Sequence, residues 1–154
     1  MRSVYRDTVT VYNRRFPVLR SPFPPDEGDY RWDRTVIRGA LFRNRTHANP
    51  TPEGAVFIGQ TVSVTVPEAA DQEGKTYVGP GDYARLPLDD RAHWTIRIDR
   101  ANPDFIVLGE GPEIAGGYGI ADLERDYGDR RLMRPEAVRG GTERGIPQWK
   151  ITGR

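Results

Sequence analysis

The chain of 154 residues contains no cysteine. That excludes a disulfide framework, a catalytic thiol and cysteine-ligated metal. Lysine is nearly absent too: Lys75 and Lys150 stand alone, so the 23 basic residues are almost all arginine. They balance 22 acidic ones for a net charge of +1, so no global field draws the chain to nucleic acid or to a membrane surface. No long apolar run exists to span a bilayer. The opening MRSVYRDTVTVY lacks the apolar centre of a signal peptide, and a cytoplasmic product is expected. Histidine occurs twice, at His47 and His93, without a metal-ligand spacing, so no metal site is expected. Ser3, Ser21 and Ser63 are the only serines, and none sits in a nucleophile elbow.

What is present is turn-rich. Hydrophobic residues make up 36% of the chain, against 17 glycines and 13 prolines. One domain covering 1–154 is the simplest organisation. It would have a small core and long loops, a balance suited to a subunit that its neighbours help to order. The clearest periodic signals have period two. DTVTVY (7–12) alternates Val9 and Val11 against threonines. QTVSVTV (60–66) places Val62, Val64 and Val66 on one face. HWTIRI (93–98) groups Trp94, Ile96 and Ile98, and QWKIT (148–152) groups Trp149 and Ile151. Each predicts a half-buried strand. DRTVIRGALFR (33–43) predicts another, with Gly39 marking a bulge or a close approach. DFIVLG (104–109) fits a more buried one. Helix signals are few: two turns over GIADLERDYGD, ended by Gly128, and one turn over RPEAVRGG, with Pro135 at its start. Proline- and glycine-rich arms and loops are expected at 16–30, 46–55, 67–82 and 109–119. The fold class is mainly β: a small barrel or sandwich of about six strands with one or two short helices.

DFIVLGEGPEIAGGYGIADLERDYGD (104–129) has the strand, glycine, helix order of a phosphate cradle. Yet Ile114 occupies the sixth position of the dinucleotide fingerprint, no P-loop lysine follows, and Glu110 and Glu113 face where phosphate would approach. The stretch is therefore expected to be a mobile connector, and no cofactor is expected. Asp89, Asp90, Asp99 and Asp104 flank strand ends as solvated turn residues do, not as an acid–base pair. No catalytic residue is assigned and no enzyme is expected. RWDRTVIRGALFRNR (31–45) interleaves Arg31, Arg34, Arg38, Arg43 and Arg45 with Trp32 and Phe42. That is the composition of a protein interface, of a strand that faces DNA, or of an ordinary solvated face.

The order of DTVTVYN, RTVIRGALFR, VSVTVP, TYVGPGDYARL, WTIRIDRANPDFIVLGE, DLERDYGD and the terminal WKITGR resembles a family of small proteins of tailed phages and prophages. The resemblance covers roughly residues 7–153. It implies a virion structural protein at the head–tail junction, assembled in the cytoplasm of the host bacterium. The stopper, or head-completion, proteins of that junction are small β-barrels with a loop projecting into the channel. A homo-oligomeric ring of roughly six or twelve copies would join portal and adaptor to tail proteins and help retain packaged DNA through passive contact. A tail terminator or another neck protein is the neighbouring alternative, and a nucleic-acid-binding small β-barrel the more distant one. Under this resemblance the loop 67–82 is the candidate ring-interface or channel loop, with Asp71, Glu73, Lys75, Tyr77 and Tyr83. The proline-rich stretch 16–25 is the alternative docking arm.

Overall fold

Alternating valines build the centre of the molecule. The structure is a computed structural model that describes residues 4–15, 31–50, 52–54, 56–99, 104–115, 117–128, 130–143 and 146–154. Its seven-stranded sheet is mainly β in the way the sequence predicts. The strands are β1 (Asp7–Arg15), β2 (Arg31–Pro50), β3 (Val56–Pro67), β6 (Phe105–Leu108), β7 (Leu132–Met133), β8 (Pro135–Glu143) and β9 (Ile146–Gly153), in the order β7-β6-β1-β2-β3-β9-β8. All their pairings are antiparallel. A separate parallel pair joins β4 (Thr76–Tyr77) to β5 (His93–Trp94). The helices are α1 (Pro80–Arg85) and α2 (Ile120–Tyr127).

The sheet curls into a nearly closed barrel. Its two edges, β7 and β8, are joined by the single residue Arg134, whose N–H donates to the carbonyl of Arg154 at 2.9 Å while Arg154 N–H returns the bond at 3.3 Å. Closure demands glycine beside it: a Cβ on Gly153 would lie 2.0 Å from the Arg134 carbonyl oxygen. Val9, Val11, Ile37, Ala40, Val62, Val64, Val66, Ile106, Met133 and Ile151 fill the interior, and Trp94 and Ile96 join them. Gly39 is the extra residue of a bulge. Asp7 pairs with Ala40 and Thr8 with Arg38, which skips Gly39, whose φ is +93°. The bulge lets Ile37 and Ala40 both face the core.

Several expectations change. RPEAVRGG is the edge strand β8, not a helical turn: from Ala137 onward it pairs with β9 as a hairpin, and Pro135 sits at its start, where a missing N–H is tolerated. HWTIRI contributes only its first two residues to a strand. Thr95 is buried and Ile98 is 48% exposed, against the alternation. β2 runs on through Pro50, so 46–50 is strand where a loop was expected. The threonine face of β1 is not solvated either. Thr10 and Tyr12 are fully buried, because α2, Ile114 and Tyr118 lie over β1 and β6. Leu123, Ile120 and Tyr127 of α2 pack there with Tyr12, Phe105, Val107 and Leu132. The glycine connector is accordingly pinned. Thr10 Oγ1 donates to the Gly109 carbonyl (2.7 Å) and accepts from Gly111 N–H (2.8 Å), and Tyr12 Oη donates to the Pro112 carbonyl (2.7 Å). α2 starts with Asp122 reaching back to the Gly119 N–H at 2.8 Å, which supplies the first turn with an acceptor. The stretch 16–25 lies outside the described residues.

Candidate functional site: a charged cleft at the barrel end

On the inward face of β1, Val9 and Val11 are followed by Asn13 and Arg15, and on β2 they are paired with Ile37, Thr35, Asp33 and Arg31. The barrel interior thus turns from apolar to ionic toward one end. Asp33 is the centre of this end. Its carboxylate faces Arg15 Nε at 3.1 Å, Arg31 Nε at 3.2 Å and Arg91 Nη1 at 3.6 Å, and it accepts from Tyr83 Oη at 3.2 Å. One carboxylate therefore serves three guanidiniums. Arg15 is almost wholly buried and lies 4.2 Å from the centre of the Tyr83 ring. It also donates to the carbonyls of Tyr83, Leu86 and Pro87, which fixes α1 and the turn after it to β1. Burial and the nearby Asp33 push the Tyr83 hydroxyl well above its ordinary pKa.

Beside this centre lies a cleft of about 550 Å³, bordered by Arg31, Trp32, Arg34, Lys75 and Arg91 with Glu73 and Glu113. Here the structure brings together two groups that are far apart in sequence. Lys75 Nζ donates to the Arg34 carbonyl (2.8 Å) and Thr35 Oγ1 (2.9 Å), and burial lowers its pKa from the ordinary lysine value. Glu73, at a φ of +58°, accepts the Val36 N–H with its carboxylate. Arg34 donates to the Gly111 carbonyl at 2.6 Å and faces Glu113 at 3.9 Å. The arrangement offers charge of both signs and suits binding. Among the described residues no group of three or more metal-ligating side chains converges.

The stretch 67–82 does not project. Arg38 and Asp71 exchange backbone bonds of 2.8 and 3.0 Å, Thr76 N–H bonds Ala92 and Val78 N–H bonds Trp94. Tyr77 is half-buried in an aromatic group with Trp94 and Trp149, at centroid distances of 5.0 and 5.1 Å. Tyr83 is buried in α1, and Asp71 is exposed. Of the arginine strand, Arg31, Trp32 and Arg34 reach the cleft, Arg38 pairs with Glu110 at 3.1 Å, and Arg43 and Arg45 stand exposed farther along β2.

Asp104 departs most from its expected solvated turn. It is 1% exposed. Its Oδ2 accepts from Asn13 Nδ2 (2.9 Å) and Arg97 N–H (2.9 Å), and its Oδ1 from Arg14 N–H (3.0 Å). Burial pushes its pKa up to about 6, although these donors and Arg97 pull the other way. Asp90 accepts the Ala92 N–H at 3.3 Å and sits 3.1 Å from His93 Nδ1. Sequence reasoning missed Asn13, Arg15, Asp33, Arg91 and Asp104 as members of one end of the barrel. A signal existed for two of them: Asn13 and Arg15 continue the period-two face of Val9 and Val11.

The match to a family model spans residues 4–154. The chain belongs to DUF6751, a family of unknown function. No curated protein and no solved structure matches it.

Proposed function

We propose that this protein is a structural subunit of a tailed-phage particle, a head–tail connector of the stopper type that works by assembling into a ring and not by turnover. The observation that carries the reading is the β2–β3 hairpin. β1 covers β2 only as far as Ala40, and β9 covers β3 only from Val62. β2 and β3 nonetheless stay paired out to Pro50 and Val56. Beyond the barrel, residues 45–50 and 56–61 thus form a two-stranded ribbon roughly 20 Å long at about 3.3 Å per residue. Its outer edges meet no other strand among the described residues. A lone ribbon is marginal in water and an uncovered edge is a template for another strand. A neighbouring copy, offering its own edge in turn, satisfies both in a heterologous contact of the kind that closes rings.

The mainly β architecture favours a stopper over a tail terminator, and the sequence resemblance supplies the phage setting. On this reading the partners are further copies, the portal or adaptor, and tail proteins, with packaged DNA touched passively, and the protein resides at the head–tail junction of the virion. The test replaces residues 48–57 by a short turn. The barrel should keep its circular dichroism and melting temperature, while ring addition to purified portal–adaptor complexes, seen by electron microscopy, is lost. Rings formed equally well by the shortened protein would refute the role of the ribbon. Heads that retain DNA and join tails without this protein would refute the function.

A further inference from the structure

The barrel leaves one long strand edge open. β8 pairs with β9 on one side, and among the described residues no strand pairs with its other side. The opposite edge of the sheet, β7, is only two residues long. Ala137, Arg139, Gly140 and Gly141 are all exposed. For the two glycines, which have no side chain, that is exposure of the backbone itself. Which peptide groups face outward follows from β9. The Pro147 carbonyl accepts the Glu68 N–H, on the β3 side, at 2.9 Å. Peptide groups alternate in direction along a strand, so Gln148 and Lys150 turn theirs to β8, and Trp149 and Ile151 turn theirs to β3. Gln148 pairs with Gly141, and Lys150 with Arg139. Val138, Gly140 and Thr142 therefore direct their N–H and C=O groups away from the sheet. Natural edges are commonly blunted by proline, lysine or a bulge. Here the bulge between Pro135 and Ala137 marks only the start of β8, and 137–142 reads AVRGGT, with one charge and no proline.

The ribbon supplies a matching edge. Residues 56–61 have β2 on one side and, among the described residues, no strand on the other. They read VFIGQT, with neither proline nor charge, whereas the overhang of β2 ends in Pro50, which has no N–H to give. Within one copy the two edges do not meet. Gly153 pairs with both Val62 and Pro135. From that level the ribbon runs out past one end of the barrel, and β8 runs toward the other. Gly59 and Gly140 are thus separated by about 20 Å along the strands, at about 3.3 Å per residue, with β9 between them. Complementary surfaces at opposite ends of one molecule make a head-to-tail contact between copies. We propose that β8 is the receiving half of that contact: its outer edge takes the 56–61 strand of the next copy. The inference rests on the ring reading above and names the surface that the ribbon meets.

The test exploits the absence of cysteine from the chain. Gly141→Cys adds a Cβ in open space, at a position whose own peptide groups face β9. Such a position lies closest to an incoming antiparallel strand, within reach of a disulfide. It is combined in turn with Phe57→Cys, Gly59→Cys and Thr61→Cys, the ribbon positions whose peptide groups face β2 by the same alternation. The full chains are oxidised alone and with portal–adaptor complexes. At least one pair should give a ladder of covalent oligomers on a non-reducing gel, and Gly141→Cys with Arg125→Cys on α2 should give none. Gly140→Pro removes an outward N–H and sets a ring on the edge, and should weaken assembly about tenfold or more. Should it disturb the melting curve, the cysteine pairs remain decisive. No ladder from any of the three pairs would overturn the proposal. Dimers formed by Gly141→Cys alone would do the same, because they place two β8 edges together about a two-fold axis. A ladder in solution with no ring on the portal supports the strand pairing and refutes the stopper reading. Rings without a ladder refute the pairing and leave that reading standing.

Discussion

Replacing Asp104 by asparagine should remove a pH dependence that can be worked from the structure. The native carboxyl is 1% exposed and accepts from Asn13, Arg14 and Arg97. Burial favours the protonated form and the donors favour the charged one; burial prevails, lifting the pKa from the ordinary 3.8 to about 6. The folded protein therefore holds a proton that the unfolded chain has already released. This group's contribution to stability is complete below about pH 4 and is lost as pH rises through about 6. At about 1.4 kcal/mol per pH unit, the loss by pH 7 is about 3 kcal/mol. Asparagine keeps the volume and one acceptor oxygen, but its amide faces an N–H donor, which costs about 1–3 kcal/mol in the acidic range. The charge penalty is then gone. Wild-type protein should be the more stable at about pH 4.5, and the gap should close by about 2 kcal/mol or reverse by pH 7.5. Urea unfolding of both proteins across that range measures it, and groups common to both cancel in the difference. A difference that is flat, or that widens toward alkaline pH, would refute the reasoning, because it would mean that the three donors outweigh burial.

Other consequences are simpler. Gly153→Ala would drive a Cβ into the Arg134 carbonyl and within 3.1 Å of Pro135 Cα, a backbone clash expected to cost about 2 kcal/mol or more. Gly141→Ala in β8 meets open space and should stay within about 0.5 kcal/mol of wild type; equal melting temperatures for the two variants would contradict closure at Arg134. Arg15→Met keeps an apolar stem but strips donors from three carbonyls and Asp33, at a cost of about 3 kcal/mol in denaturant unfolding. A cost under about 1 kcal/mol would show that Arg15 does not anchor α1.

The strands over 7–12, 60–66 and 148–152 were legible because alternation is local: a pleated strand with one buried face must place apolar residues two apart; the strand over 33–43 was legible around its glycine and that over 104–109 as an apolar run. Helix α2 and the bulge at Gly39 were legible for similar reasons, one from apolar spacing and a terminal glycine, the other from a glycine inside a strand pattern. RPEAVRGG misled, since Pro135 opens an edge strand as readily as a helix, and only pairing with β9 decides between them.

The sequence by itself determined a mainly β domain, its arginine-rich chemistry, and the exclusion of thiol and disulfide chemistry. Tertiary structure alone decided which polar residues are buried. Asn13 meets Asp104 and Thr95, Trp94 meets Gln72, and Asp33 meets Arg15, Tyr83 and Arg91, each across a long stretch of chain. No short-range pattern encodes these partnerships. A carboxylate in a turn looks the same in sequence whether water or three N–H donors surround it, and its proton affinity follows from that difference.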